Sequence, residues 1–170
     1  MKRKLLLYSF LIVFFLLLQT TLLRYARIHG VAPNLLISLT ILTALVRNSA
    51  EGAAVGLFSG LCIDLQFGTA VGFYALLGMY TGIAAGSISR KIYRDNFLVV
   101  AFFTFIYSVV YESVVYAINN IMSGDIDFLF AFTRVILPEA VYNCAVSVLL
   151  FPLLVMAGKW FDSAASAHKY

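Results

Sequence analysis

Charge is scarce in this chain. Only 12% of its 170 residues are Asp, Glu, Lys or Arg, against about 25% in a soluble domain. Hydrophobic residues make up 62%, and the mean hydropathy is +0.95. So little polar surface cannot cover a water-soluble body of this size, and lipid is the natural solvent. Cysteine is scarce too. Cys62 and Cys144 both lie in apolar segments, and neither has a second Cys or a His at ligand spacing. That excludes a zinc or redox motif and leaves both as small packing residues. His29, in a loop, and His168, in the tail, have no catalytic neighbour in sequence. Phosphate-binding, metalloprotease, nucleophile-elbow and dinucleotide motifs are all absent. Asp125 and Asp127 are the one close acid pair in a loop and read as a turn. The expectation is no enzyme, no cofactor and no metal.

What the chain has is long apolar runs. About 20 apolar residues cross a bilayer, and six stretches come near that: 5–23, 31–46, 52–67, 68–89, 97–122 and 138–158. Residues 1–160 then form one polytopic all-α membrane domain, and 161–170 a cytoplasmic tail. The first run is too long for a typical signal-peptide core and no small-residue cleavage site follows, so it reads as a retained helix. The second and third are short. Were they a hairpin that fails to cross, four full spans would remain, but the polar break from Arg47 to Glu51 suits an interface. Pro138 removes a backbone donor and disfavours helix at Leu137. A short interfacial lead-in over 128–137 is therefore expected before the last span.

The net charge is +4 and the pI near 9.1. The bases flank apolar runs instead of forming a stripe, which argues against nucleic acid and for the positive-inside rule. With the N-terminus in the cytoplasm, nine Lys and Arg fall on that side. They are Lys2, Arg3, Lys4, Arg47, Arg90, Lys91, Arg94, Lys159 and Lys169, against Arg24, Arg27 and Arg134 outside. Both termini are then cytoplasmic, and Trp160 falls at the cytoplasmic interface. The outer loops are too small to hold a domain.

Two features stand out within the apolar runs. Gly52, Gly56 and Gly60 recur every fourth residue, as do Gly78, Gly82 and Gly86. Such stripes let helix backbones approach closely, either between segments three and four or at a docking face for a partner helix. The second feature is polar. A charge at the bilayer centre costs roughly 2.5–3.5 kcal/mol on insertion scales, so Asp64, Glu112, Arg134 and Glu139 need partners or a cavity. Glu112 lies some 15 Å from the outer end of its helix, at about 1.5 Å per residue. It heads a row with Thr104, Ser108 and Asn119, and Tyr116 follows one turn later. That row belongs either to a hydrogen-bonded core around a protonated glutamate or to a cavity or partner contact. Glu139 follows Pro138, where a carboxylate can cap a helix start, and Asn143 and Ser147 continue its row. Arg134 is expected to pair with Asp64 or Glu139; since Arg134 and Glu139 are about 140° apart on an ideal helix, Asp64 is the easier partner.

In this order the elements resemble the rod shape-determining protein MreD family over about residues 1–158. The basic start, Pro33-Asn34-Leu35-Leu36, the glycine-rich segment ending in Asp64, and Gly68 and Gly72 carry the likeness. So do the basic loop at 90–96, Glu112, Arg134, Leu137-Pro138-Glu139 and Asn143. The resemblance implies a fold similar to the S components of energy-coupling factor transporters. It also implies a non-enzymatic scaffold of the cell-elongation, peptidoglycan-synthesising complex in the bacterial cytoplasmic membrane. MreC would be bound directly, and MreB, RodA and a class B penicillin-binding transpeptidase indirectly. The competing expectation is a vitamin-type transporter S component using the Glu112 row as its pocket. A membrane enzyme on lipid-linked precursors would need clustered acids or bases at an interface, and too few are present.

Overall fold

In the computed structural model, which describes residues 2–25, 30–67, 71–89, 96–121 and 127–166, the chain is all-helical. The elements are α1 (Lys2–Tyr25), α2 (Leu35–Val46), α3 (Ser49–Phe67), α4 (Phe73–Ser89) and α5 (Phe97–Ile121). A short α6 (Phe128–Ala131), a π-helical turn (Phe132–Ile136) and α7 (Leu137–Ser166) then follow without a break, making six rods in all. Two stretches, Phe97–Asn120 and Phe128–Gly158, are long and apolar enough to cross a membrane; Leu6–Thr21, Leu35–Val46 and Phe73–Ile88 are apolar but shorter.

The centre of the bundle is α2. Every residue from Leu35 to Leu45 is buried, including Ser38, Thr40 and Thr43. At 12 residues the helix is about 18 Å long, and it can be this short because protein surrounds it on all sides. The buried Ser38 and Thr40 hydroxyls donate to the carbonyls of Asn34 and Leu36, each at 2.9 Å, so neither is left unpaired in the core. The outside is the reverse of a soluble surface. Leu6, Phe10, Leu17, Phe102, Leu149 and Met156 are each more than half exposed.

The tightest packing joins α3 to α4. A Cβ at Gly56 would strike the Gly78 backbone and Thr40, one at Gly60 the backbone of Tyr74 and Ala75, and one at Gly82 the backbone of Gly52. Gly86 lies against Ser49, and Gly52 also faces Ala44 of α2. The two stripes therefore face each other and α2 within the chain. A partner helix has no access to them, so the docking alternative is corrected by the absence of any gap. Such close approach allows Cα–H···O contacts and fuller dispersion than bulkier residues permit.

Several boundaries differ from the sequence reading. The second helix begins at Leu35 with Asn34 as its N-cap, four residues later than expected, and the fourth begins at Phe73 instead of 68. Pro138 does not break the last rod, because the π turn precedes it. The Leu137 amide reaches back five residues to the Phe132 carbonyl, which widens the helix where the proline ring would crowd it. Helix therefore runs continuously from 128 through 158 and on to Ser166. Arg27 and the basic loop at 90–95 lie outside the described residues, as do the side chains of Arg24 and Trp160.

At the end where α1 and α3 begin, Glu51 ties three helices together from the polar break. Its carboxylate accepts from Lys4 Nζ at 3.0 Å, Tyr8 Oη at 2.6 Å and Arg47 Nε at 3.4 Å. Burial pushes the Glu51 pKa up, but the Tyr8 and Lys4 hydrogen bonds and the Arg47 and Lys4 charges outweigh it and hold the group below its ordinary 4.5. A lowered folded value favours folding above the unfolded pKa, and that contribution is lost as pH falls through the folded value. In detergent, the native chain should lose thermal stability between about pH 5 and pH 3, and Glu51→Gln should start lower and lose less. Parallel curves would remove Glu51 as the source. At the glycine contact, Gly56→Leu should cost about 1–3 kcal/mol or more through overpacking, whereas Ala54→Leu, on the exposed face of α3, should be near neutral by the same thermal measurement.

Candidate functional site: a polar cluster above the central helix

A helix that starts inside a bundle brings unpaired backbone donors with it. At the start of α2 these are met by side chains. Asn34 Oδ1 accepts from the Ile37 amide at 3.2 Å as an N-cap. Gln19 of α1 accepts from the Leu35 amide at 3.1 Å, and Asn143 of α7 accepts from the Asn34 amide at 2.7 Å. Pro33, just before the cap, has no amide proton to satisfy.

The same residues reach outward to α5. Asn34 Nδ2 donates to Glu112 Oε1 at 3.3 Å, and the fully buried Asn143 donates through Nδ2 to Ser108 Oγ at 3.2 Å. Glu139 brings its carboxyl close to that of Glu112. Five positions singled out in the sequence, Asn34, Ser108, Glu112, Glu139 and Asn143, thus meet in one place. The row on α5 divides. Thr104 and Ser108 are buried, whereas Asn119 is exposed and donates to Tyr74 Oη at 3.3 Å. Tyr116 reaches the Asp127 carbonyl at 3.2 Å.

Two expectations need correction. Glu139 does not cap a helix start, since the rod is already helical before it. Asp64 does not pair with Arg134. The Asp64 carboxylate is buried and accepts from the amides of Gly72, Tyr74 and Ala75 at 2.9, 3.0 and 3.1 Å. It caps α4 from the end of α3, where a carboxylate meets free donors and the positive end of the helix dipole. Gly72, at φ +102°, supplies the left-handed turn that aims those amides at it. Arg134 is exposed, and no ion pair to it occurs among the described residues. Pro138, next to Glu139 in sequence, makes none of the cluster's hydrogen bonds.

Gln19 and Glu51 were missed. Gln19 is one polar residue in an apolar run with no periodic partner. Glu51 had a signal, since it lies on the same predicted side as Lys4 and Arg47.

The cluster can do structural work: it joins α1, α2, α5 and α7 through groups that would be costly to bury alone. Among the described residues no three His, Cys, Asp or Glu stand close enough to hold a metal ion. Glu112→Gln keeps a group that accepts from Asn34 and donates to Glu139, so it should be nearly neutral. Glu112→Leu strands both partners and should cost about 1–3 kcal/mol. Thermal unfolding in detergent checks the pair; equal losses would show that the contact contributes nothing.

Comparison with known proteins agrees with one family. A family model described as rod shape-determining protein MreD matches residues 1–157. No curated protein matches the chain, and no solved structure does. The match spans both poles of the bundle, from Lys4 to the α7 stretch that carries Glu139 and Asn143. The chain therefore belongs to the rod shape-determining protein MreD family, and its role is in rod shape determination.

Proposed function

We propose that this chain is a non-enzymatic, multi-pass scaffold of the cell-elongation complex in the bacterial cytoplasmic membrane, and that it binds MreC there. The observation that carries the reading is the family match over residues 1–157. Three features support it. The exposed apolar belt suits lipid. Asn34, Ser38, Thr40, Glu112 and Asn143 are hydrogen-bonded within the protein, as a bilayer favours, although the buried Thr43 and Ser59 hydroxyls have no partner among the described residues. Lys4 and Arg47 meet at one end of the bundle, with Gly158 packed on Arg47, which supports a cytoplasmic placement of that end and of both termini. MreB, RodA and a class B transpeptidase would be reached through MreC.

A vitamin-type transporter subunit would need the Glu112 row free to hold a solute. Here Asn34 and Glu139 engage Glu112, and Asn143 engages Ser108, which favours the scaffold. The test is co-expression with the host's MreC, detergent extraction and affinity purification through a tag on this chain. Recovery of both chains in fixed ratio is expected. Loss of MreC in every mild detergent, with this chain folded, would overturn the reading.

A further inference from the structure

Helix α1 packs on α2 and α3 but stands largely clear of α7. Between α1 and α7 runs a slot of about 220 Å³. Leu7, Leu11 and Phe15 of α1 form one wall, Leu150 and Ala157 belong to the α7 wall, and Leu39 of α2 is the floor. Every residue lining it is apolar. Polar ties hold α1 beyond each end of the slot. Lys4, before Leu7, is bonded to Glu51, and Gln19, after Phe15, accepts from the Leu35 amide. Neither tie involves α7.

Size, length and charge select the occupant. A helix with its side chains is about 10–12 Å across and fills roughly 400–600 Å³ per turn, so a partner helix does not fit. From Leu7 to Phe15 the α1 wall is uninterrupted helix, about 12 Å long at about 1.5 Å per residue. One side chain reaching in from a neighbour would cover part of that length, whereas a methylene chain lying along α1 would cover all of it. Half of a hydrocarbon core is about 15 Å, so the slot is close to one leaflet deep. Its walls gain dispersion contacts only from atoms laid against them. The end marked by Leu7 and Ala157 adjoins the Glu51 junction. Lys4, one turn before Leu7, meets Glu51 at 3.0 Å, and Gly158, next to Ala157, packs on Arg47. The orientation proposed above puts nine Lys and Arg at that end against three acids, Glu51, Asp95 and Asp162. Such an excess draws anionic headgroups.

We propose that the slot between α1 and α7 holds one acyl chain of an anionic phospholipid of the cytoplasmic leaflet, its headgroup lying at the basic end beside Lys4 and Arg47. The site rests on the membrane placement proposed above. Bound there, the lipid joins α1 to α7, which contacts within the protein leave largely apart. Ala157 sets the mouth, because its small side chain leaves room for the chain to pass while the headgroup stays outside.

The test uses the full chain in mild detergent, with phosphatidylglycerol and phosphatidylcholine as probes and native mass spectrometry as the readout. Native protein, Ala157→Phe, Leu153→Trp and Leu149→Phe are compared, with helical content checked by circular dichroism. Ala157 and Leu153 line the slot, whereas Leu149, 72% exposed on the same helix, does not. The native chain should retain phosphatidylglycerol in preference to phosphatidylcholine. Ala157→Phe should weaken that binding roughly ten-fold, because its ring takes the contacts of the acyl chain. Leu153→Trp should act likewise and Leu149→Phe should change nothing. Should Ala157→Phe fail to fold, Leu153→Trp, on the exposed rim, carries the comparison. Native affinity in the folded slot variants overturns the site. Equal retention of phosphatidylcholine overturns the anionic headgroup. Displacement of the lipid by co-expressed MreC assigns the slot to a protein side chain and overturns the lipid. Alkaline carbonate extraction of reconstituted vesicles separates the two readings. A chain that stays inserted yet binds lipid equally well with the slot filled fails this inference alone, whereas a chain that is extracted fails the membrane placement itself.

Discussion

The start of α2 at Asn34 is the joint on which the bundle depends. A helix that begins deep inside a protein exposes free amides where water cannot reach them. This chain answers with side chains from three directions: Gln19 from α1, Asn34 itself and Asn143 from α7. Because those groups are also bonded to Ser108 and Glu112, satisfying one helix end aligns four helices. The arrangement explains why α2 is so short. Extending it outward would displace the polar cluster, and the apolar residues added would have no protein around them.

A second constraint acts at the opposite pole and along the α3–α4 seam. Glu51 gathers α1, α2 and α3 through Lys4, Tyr8 and Arg47, while the glycines allow α3 and α4 to touch at the backbone. These contacts differ in kind. The glycine contact is one of shape, whereas the Glu51 junction is electrostatic. Asp64 links the two ideas, since its carboxylate closes the α3–α4 turn by capping the helix that the glycines bring near.

Much of this was legible in the sequence, and the failures have physical reasons. Hydropathy located six segments because burial in lipid or protein demands apolar length. The four-residue spacing of Gly52, Gly56 and Gly60 revealed a face, since a helix repeats every 3.6 residues. Asn34, Glu112, Glu139 and Asn143 stood out as polar groups in apolar surroundings. Their pairing was not legible, because it depends on how helices distant in sequence are rotated. Arg134 was assigned to Asp64 on charge and depth, yet backbone amides supplied by a left-handed turn at Gly72 took the carboxylate. Local chain reversal outcompeted a long-range ion pair, and no periodicity reports a reversal. The expected break at Pro138 failed similarly: a π turn relieves the proline without ending the helix, and its signature is geometric.

That π turn gives one rod two registers, offset from each other. An α-helix ties every residue to its neighbours at about 100° per step, so a face chosen at one end dictates the face at the other. One additional residue in the turn shifts the one face relative to the other by a fixed angle. The inward half of the rod can keep Glu139 and Asn143 directed at the bundle axis while the outward half turns its own side chains to the surroundings. Phe128–Ala131 thus present a face that an unbroken α-helix leading to Glu139 and Asn143 would not give them.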